Sequence, residues 1–300
     1  METRKIMYEW PPRAHPIVAQ PEMGRNRLHG VENGLNLRAD CESCLALCCV
    51  VPAFSASADF AINKPAGQPC PNLRPDSRCG IHTSLRERGF RGCTVYDCFG
   101  AGQQVSQVTF AGQDWRGAPR TAKQMCEVFP VMRDLHELLW YLGEALTITA
   151  ARSLHGGLSR AVGATERLTG QSPEALLELE TAAHRAGVND LLLAASELAR
   201  AGFAHRKNHR GDDLIGADLS GADLRGASLR GAHLIGADLR DADLRMTDVI
   251  GADFRDADIR GTDLTGAIYL IQSQLDAARG DSSTTVPPSL TCPVHWSDQD

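Results

Sequence analysis

Ten cysteines lie in the 300-residue chain, and eight of them fall between Cys41 and Cys98. Their order is Cys41-x2-Cys44-x3-Cys48-Cys49, then Cys70, Cys79, Cys93 and Cys98. Thiolates at such short spacings converge on soft or borderline cations, chiefly zinc and iron–sulfur clusters. All eight are therefore candidate metal ligands. The gap between Cys41 and Cys44 allows a tight knuckle in which both sulfurs face one ion. Adjacent Cys48 and Cys49 point different ways, so either they serve two sites or one is a ligand and the other is buried. Turn material such as Pro71-Asn72 and Pro75-Asp76-Ser77 separates the ligands. This suits a small irregular domain held by metal instead of by a large core. The thiolates suffice for a [4Fe–4S] centre with four to spare, whereas a closed all-thiolate site is more often structural zinc. His82 is expected to be an ordinary polar side chain at the start of a short helix, and Cys126 a small buried apolar group.

Two other readings of the cysteines compete with a bound metal: four disulfides, or reduced, redox-responsive thiols. The N-terminus, Met-Glu-Thr-Arg-Lys-Ile-Met-Tyr-Glu-Trp-Pro-Pro, has no apolar h-region and no small-residue cleavage site. The expected compartment is the cytoplasm, where thiols stay reduced, and this disfavours disulfides.

The segment resembles the CxxCxxCC family of zinc- or iron-chelating proteins. The resemblance rests on Cys41, Cys44, Cys48 and Cys49, on Cys70-Pro-Asn-Leu73, on Cys79-Gly-Ile-His82, and on Gly-Phe-Arg-Gly-Cys93-x4-Cys98. It covers about sixty residues. The chain departs from the family in having three residues between Cys44 and Cys48, and Gly-Phe-Arg-Gly where the family tends to have Arg-Pro. The resemblance implies a bound metal, and some relatives are thought to carry an iron–sulfur cluster and to modify protein lysines. The residues themselves lend that activity no separate support: no His, Glu or Asp constellation reads as catalytic, and His136, His155 and His184 each stand singly.

The elements that position this chemistry are organised around a second pattern. From Asp212 to Tyr269 the sequence repeats every five residues, with bulky apolar centres at Leu214, Leu219, Leu224, Leu229, Leu234, Leu239, Leu244, Val249, Phe254, Ile259 and Leu264. Two places before each centre from Leu219 on, and again at Ala267, stands Ala, replaced by Thr at Thr247 and Thr262. Two places after each centre stands Gly, except at Asp241, Met246 and Asp256. A period of five fits neither helix nor plain strand, but it suits a solenoid whose units bury their apolar faces by stacking. Gly permits the positive φ of a corner. Four sides then close a square coil of about twenty residues, filled by Leu and Ala.

This run resembles the pentapeptide repeat family, which implies a right-handed quadrilateral β-helix, here of just under three coils. A column this short needs caps at both ends. Leu270 to Arg279 reads as a capping helix, and Trp296 in the tail is expected to fold back onto the column. Outward positions put Asp before nine of the eleven centres and Arg after six, so the charges offset on the sides that carry both. Ile215, Ile235 and Ile250 form an apolar strip expected to be covered by the helical segment or the N-terminal arm.

Between the two patterns lie other segments. Residues 1–40 read as a loosely ordered arm, with Trp10 and Ile17 available to dock. The Cys-rich domain spans 41–120, and its Gly- and Gln-rich end, 99–120, reads as a loop whose glycines allow close backbone approach. A helical segment follows over 121–204. Its first helix carries Met132, Leu135, Leu139, Leu142 and Leu146, with Pro130 marking its first turn or a break. A second runs over 158–168. A third is capped by Ser172-Pro173 and ends near Gly187, and a fourth ends at Gly202. A basic linker covers 205–211, the column 212–269, and a capping helix with an extended tail 270–300. The fold class is thus multidomain, a small Cys-rich module and α-helices followed by a β-helix.

The net charge of −6 resides in the column, which carries twelve Asp and six Arg. Nothing resembles a nucleic-acid-binding basic patch, and no apolar run approaches the roughly 18 residues of a membrane span. The expected function is non-enzymatic interaction or scaffolding with an unknown protein partner, with homodimerisation through the helices as one possibility. One alternative is a metal- or iron–sulfur-dependent modification enzyme. Another, implied by the pentapeptide resemblance, is gyrase protection by DNA mimicry.

Overall fold

In a computed structural model, residues 35–204 and 206–296 are described; Trp10 and Ile17 lie outside them. The spine is one long helix. Short helical turns, α1 (Leu47–Val50), α2 (Arg91–Thr94) and α3 (Ala101–Gln103), precede it, and α4 runs over Pro119–Thr147. Pro119 takes its first turn, where a missing N–H costs nothing. Pro130 lies inside α4, on an exposed position, and does not mark its start as the sequence suggested. There it withholds an N–H from the carbonyl of Cys126, four residues back, but the rest of the helix face is apolar enough to carry the interruption.

Buried residues on α4 recur every three or four positions, through Met125, Phe129, Met132, Leu135, Leu139 and Leu142. The first half of this stripe packs on Leu47, Ala101, Val105 and Phe110 of the Cys-rich module. The second half packs on α5 (His155–Thr169) and α7 (Thr181–Arg200) through Leu158, Val162, Val188 and Leu192. Between them, Ser172 caps α6 (Pro173–Leu177), accepting a hydrogen bond from the Ala175 amide at 3.3 Å. α6 ends at Leu177, and α7 passes through Gly187 without a break. Gly187 has open space around its Cα and a helical φ, so it lowers propensity without forcing a stop.

The column follows the five-residue rhythm. Parallel bridges join residues twenty apart on four sides, in the series 208–228–248–268, 213–233–253, 218–238–258 and 223–243–263. Each corner is closed by a bond from an amide to the carbonyl of the preceding centre, as in Ala222 to Leu219 at 3.1 Å. Gly221, at φ +62°, provides the left-handed residue the turn requires. Asp241, Met246 and Asp256 hold the same conformation at φ +57°. Inside, Leu229, Leu234, Leu239 and Leu244 are fully buried. Thr247 and Thr262 take the Ala position and donate to the carbonyls of Leu224 and Leu239 at 2.8 and 2.7 Å.

The ladder is longer than the repeat. It begins at Asn208, within the presumed basic linker, and continues through Asp258–Arg279 and Asp263–Thr285. After Tyr269 the chain inserts α8 (Gln272–Ala277), shorter than the helix expected from Leu270 to Arg279, and then resumes the coil. Leu275 and Trp296 close the apolar end, and the Gln274 side-chain amide donates to the carbonyls of Val249 and Ala252, both at 2.9 Å. Trp296 is 3% exposed and lies so close to Gly280 that a Cβ there would fall 2.7 Å from its ring.

The apolar strip has divided fates. Ile250 packs into the α7 cluster, Ile235 is half-buried, and Ile215 is 56% exposed and uncovered by any described residue. Outward Asp and Arg pair across each side, with both nitrogens of the Arg225, Arg240, Arg245 and Arg260 forks on Asp223, Asp238, Asp243 and Asp258. The same carboxylates accept the backbone amide two residues on, as Asp223 does from Arg225 at 3.2 Å. Asp before each centre is therefore a corner brace as well as a charge.

Candidate metal centre

The segment around Cys41 and Cys44 is irregular, so its backbone polar groups must be satisfied from outside. Asp40 accepts from the amides of Glu42 and Ser43 at 3.1 and 3.3 Å, which bends the chain into the knuckle. A π-helix, Gln104–Thr109, lies where the sequence suggested a loop. Its Ser106 hydroxyl accepts from the Leu45 amide at 3.0 Å, and its Gln107 amide donates to the Ser43 carbonyl at 2.7 Å. Trp115 Nε1 donates to the Leu45 carbonyl at 2.8 Å. Gly102 permits the closest approach: a Cβ there would stand 2.6 Å from Cys44 Sγ.

Cys98 is positioned from the other side. Asp97 accepts from the Phe99 amide at 2.7 Å, with Phe99 at φ +49°. Two side chains of α4 hold this turn. Arg133 Nε donates to the Asp97 carbonyl at 2.9 Å, and His136 Nδ1 to the Phe99 carbonyl at 2.7 Å. Burial pushes the His136 imidazole down to about 4, so it is neutral at pH 7 and is a strut of the core.

The thiols fall into two overlapping sets. Burial, then Cys48, Cys98, Asp40 and Cys79, push Cys41 up to about 11. Burial, then Cys48 and Cys98, push Cys44 up to about 12. Burial raises Cys98 as well, with Cys48 adding to it. Cys41, Cys44, Cys48 and Cys98 thus lie within electrostatic reach of one another. Cys93 is pushed up to about 12 by burial and by Cys70, Cys48 and Cys79, and Cys79 is raised by burial, Cys70 and Cys48. Cys49 joins this second set through the backbone, since its carbonyl accepts from the Cys70 amide at 3.0 Å. Cys48 bridges the sets, and its thiol is raised first by a hydrogen bond with Cys49. Cys48 packs on the α4 core cluster and Cys49 on Ala46, Val50 and Leu73, while the two thiols still interact with each other.

The backbone at Leu47 and Ala46 lowers Cys44, that at Gly102 and Gly100 lowers Cys98, and that at Ile81 lowers Cys79, each partly offsetting burial. Sulfurs kept protonated by burial and mutual repulsion would release their protons to an ion placed among them. Among the described residues, no three His, Cys, Asp or Glu side chains stand at the spacing of a closed metal site, and no disulfide joins any cysteine. His82 is exposed in a short 3₁₀ turn, and Cys292 is exposed in the tail, far along the chain from both sets.

One participant escaped sequence reasoning. Lys64 is 3% exposed, and its ammonium donates to the carbonyls of Val50, Pro65 and Gln68 at 2.9, 3.1 and 2.9 Å. It lies within electrostatic reach of Cys70, Cys49, Cys126 and Cys93. Cys126 on α4 packs on the same small cluster as Cys49, with its sulfur against Gly67. Lys64 stands in a polar loop and carries no sequence signal, whereas Cys126, expected from the sequence as a small apolar group, packs on that apolar cluster.

With this geometry in hand, comparison with known proteins is informative. A sequence model of pentapeptide repeats matches residues 213–245 and 232–268, with eight copies. The chain is 58% identical over 265 residues to the uncharacterized protein YybG of Bacillus subtilis (strain 168), spanning 87% of this chain and 95% of that protein. A pentapeptide repeat protein of the Arabidopsis thaliana thylakoid lumen, solved at 1.7 Å, is 30% identical over 27% of this chain and 55% of its own, with a TM-score of 0.20.

Proposed function

We propose that the column, whose residues 213–268 match the pentapeptide repeat model, serves as the rigid base of a metal-stabilised interaction module. In this reading Cys41, Cys44, Cys48 and Cys98 hold one ion or cluster, and Cys49, Cys70, Cys79 and Cys93 are the remaining candidate ligands. Zinc there would supply folding energy, and a [4Fe–4S] cluster would supply redox chemistry. The reading is supported by one observation: a Cβ on Gly102 would fall 2.6 Å from Cys44 Sγ, so the segment that follows Cys98 closes on the first knuckle, and Cys44 and Cys98 lie within electrostatic reach of each other.

A scaffold role draws on the column's exterior. Its arginines are spent on adjacent aspartates, which leaves a braced surface with little net field on each paired side. That pairing disfavours DNA mimicry, which needs an uncompensated acidic rod. The reduced thiols this centre requires point to a cytoplasmic setting. No helix among the described residues is long and apolar enough to cross a membrane.

Elemental analysis and an absorption spectrum of anaerobically purified protein test the proposal. Colourless protein with stoichiometric zinc supports a structural centre. A brown, oxygen-sensitive preparation supports the enzymatic alternative, a cluster-dependent modification enzyme. Metal-free protein that is fully folded overturns both.

A further inference from the structure

The Cys-rich module grips the column at Asp256. This residue stands at a corner where the repeat usually places Gly, and it holds φ +57° without glycine's freedom. What it supplies there is a carboxylate, which pairs with Arg91 of α2. The backbone of Asp256 is engaged as well. Its amide donates to the Ala277 carbonyl at 3.0 Å, and its carbonyl accepts from the Arg279 guanidinium at 3.0 and 3.3 Å. The module therefore meets the column where the chain beyond α8 rejoins the coil.

Two further contacts flank this pair. Arg255, forked on Asp253, also donates from Nη1 to Asp59 at 3.2 Å, and the Asp59 carbonyl accepts from the Gly92 amide of α2 at 3.0 Å. Arg86 donates to the Asp276 carbonyl in α8. The turn between them is stiff. Thr94 Oγ1 donates to the Arg91 carbonyl at 2.8 Å, and Gly92 lies so close to Phe60 that a Cβ there would fall 2.3 Å from its ring. Phe60 stacks on Phe54 with 4.2 Å between centroids, and Phe90 meets Phe54 edge-on at 6.3 Å. The same turn carries Cys93, next to Gly92 and two residues from Arg91. A displacement of Cys93 is passed on to both, because packed interiors transmit strain.

We infer that α2 is a latch through which the state of the second thiol set is passed to the cap of the column: α8 and the returning coil are held while Cys93 is held, and loosen when it is freed. The role of Cys93 rests on its reading as a candidate metal ligand, whereas the contacts on the column side stand without it. The two ion pairs keep 32–43% of their side chains exposed, and such pairs are individually weak. The latch can therefore open without unfolding either part.

Site-resolved amide exchange of the full chain tests it, read at Gly92 in α2 and at Asp256 and Arg279 in the returning coil, where Arg279 donates to the Ala257 carbonyl at 2.8 Å. Relative to metal-loaded wild type, Cys93→Ser should quicken Asp256 and Arg279 severalfold while Leu224, in the first coils, keeps its protection. Asp256→Gly gives the corner the residue its φ favours, so the coil should hold, but exchange at Gly92 should quicken. With Arg86→Gln and Arg91→Gln in place, adding Cys93→Ser should leave Arg279 unchanged, because the latch is already open. Quickening confined to residues 41–98 in Cys93→Ser, or a Gly92 indifferent to Asp256→Gly, overturns the inference. Metal analysis of the same samples keeps the two readings apart. Metal-free wild type whose Gly92 still responds to Asp256→Gly defeats the metal reading and leaves the latch standing; loaded protein whose Gly92 does not respond defeats the latch alone.

Discussion

Arg230 and Asp248 form a buried ion pair at 2.8 Å, 5% and 0% exposed, where the column meets α7. Ser196 donates to the same carboxylate oxygen, Asn189 accepts from Arg230, and Arg200 reaches across to the Gly226 carbonyl at 3.0 Å. Asp248 holds the repeat's brace position, but here the carboxylate is turned to a helix instead of to solvent. The rhythm of the column has thus been used to fix its orientation on the bundle.

Removing one partner of this pair leaves an uncompensated buried charge. Asp248→Ala is expected to destabilise the protein by about 3–5 kcal/mol. Asp223→Ala, on an exposed side, should change stability far less. Urea denaturation of the two variants checks the contrast.

Glu144 accepts from the Tyr269 amide at the same junction, and burial, reinforced by Asp248, pushes its carboxyl up to about 8. Between the usual carboxylate range and that value, the folded protein holds a proton that the unfolded chain has released. Stability from this group is therefore complete below about pH 4.5 and is lost as pH rises toward 8. Glu144→Gln should flatten that decline, measured as melting temperature from pH 5 to 8.

Lys64 ties three carbonyls into one corner of the Cys-rich module. Lys64→Met removes the ammonium from the carbonyls of Val50 and Gln68, while Pro65 keeps the Gln68 amide, and should cost at least about 2 kcal/mol. The loss should be local. Amide exchange should quicken over residues 50–70 while the column retains its protection.

Gly102 lets α3 approach Cys44. In Gly102→Ala the new methyl occupies the sulfur's place, since a Cβ there falls 2.6 Å from Sγ. Metal content should fall severalfold in this variant. Gly117→Ala, with open space around it, should leave it unchanged.

The column was legible because Leu, Ala and Gly recur in a period that has few other physical solutions. Its true ends were not. Asn208 opens the ladder from within a charged run, and Arg279 and Thr285 extend it after α8 has broken the count. Thr284 shows why the resumption is hidden: its hydroxyl donates to the Ile259 carbonyl at 2.9 Å, as Thr262 does to Leu239, but no Leu or Gly at spacing five marks it. The cysteines announced a thiol-rich site, and their division into overlapping sets around Cys48 required the fold. Lys64 and Cys126 join that neighbourhood by tertiary contact, which spacing along the chain cannot reveal. Pro130 misled because a long, otherwise apolar helix face outweighed one missing hydrogen bond.

The central claim is that grouped thiols near the front of the chain ligate an inorganic centre. X-ray absorption at the edge of the metal recovered from anaerobically purified protein tests it most directly. The account predicts a shell of about four sulfurs, near about 2.3 Å if the metal is zinc, that disappears in the variant carrying Cys41→Ser and Cys98→Ser. A shell of oxygen and nitrogen alone, or a sulfur shell unchanged in that variant, would contradict it.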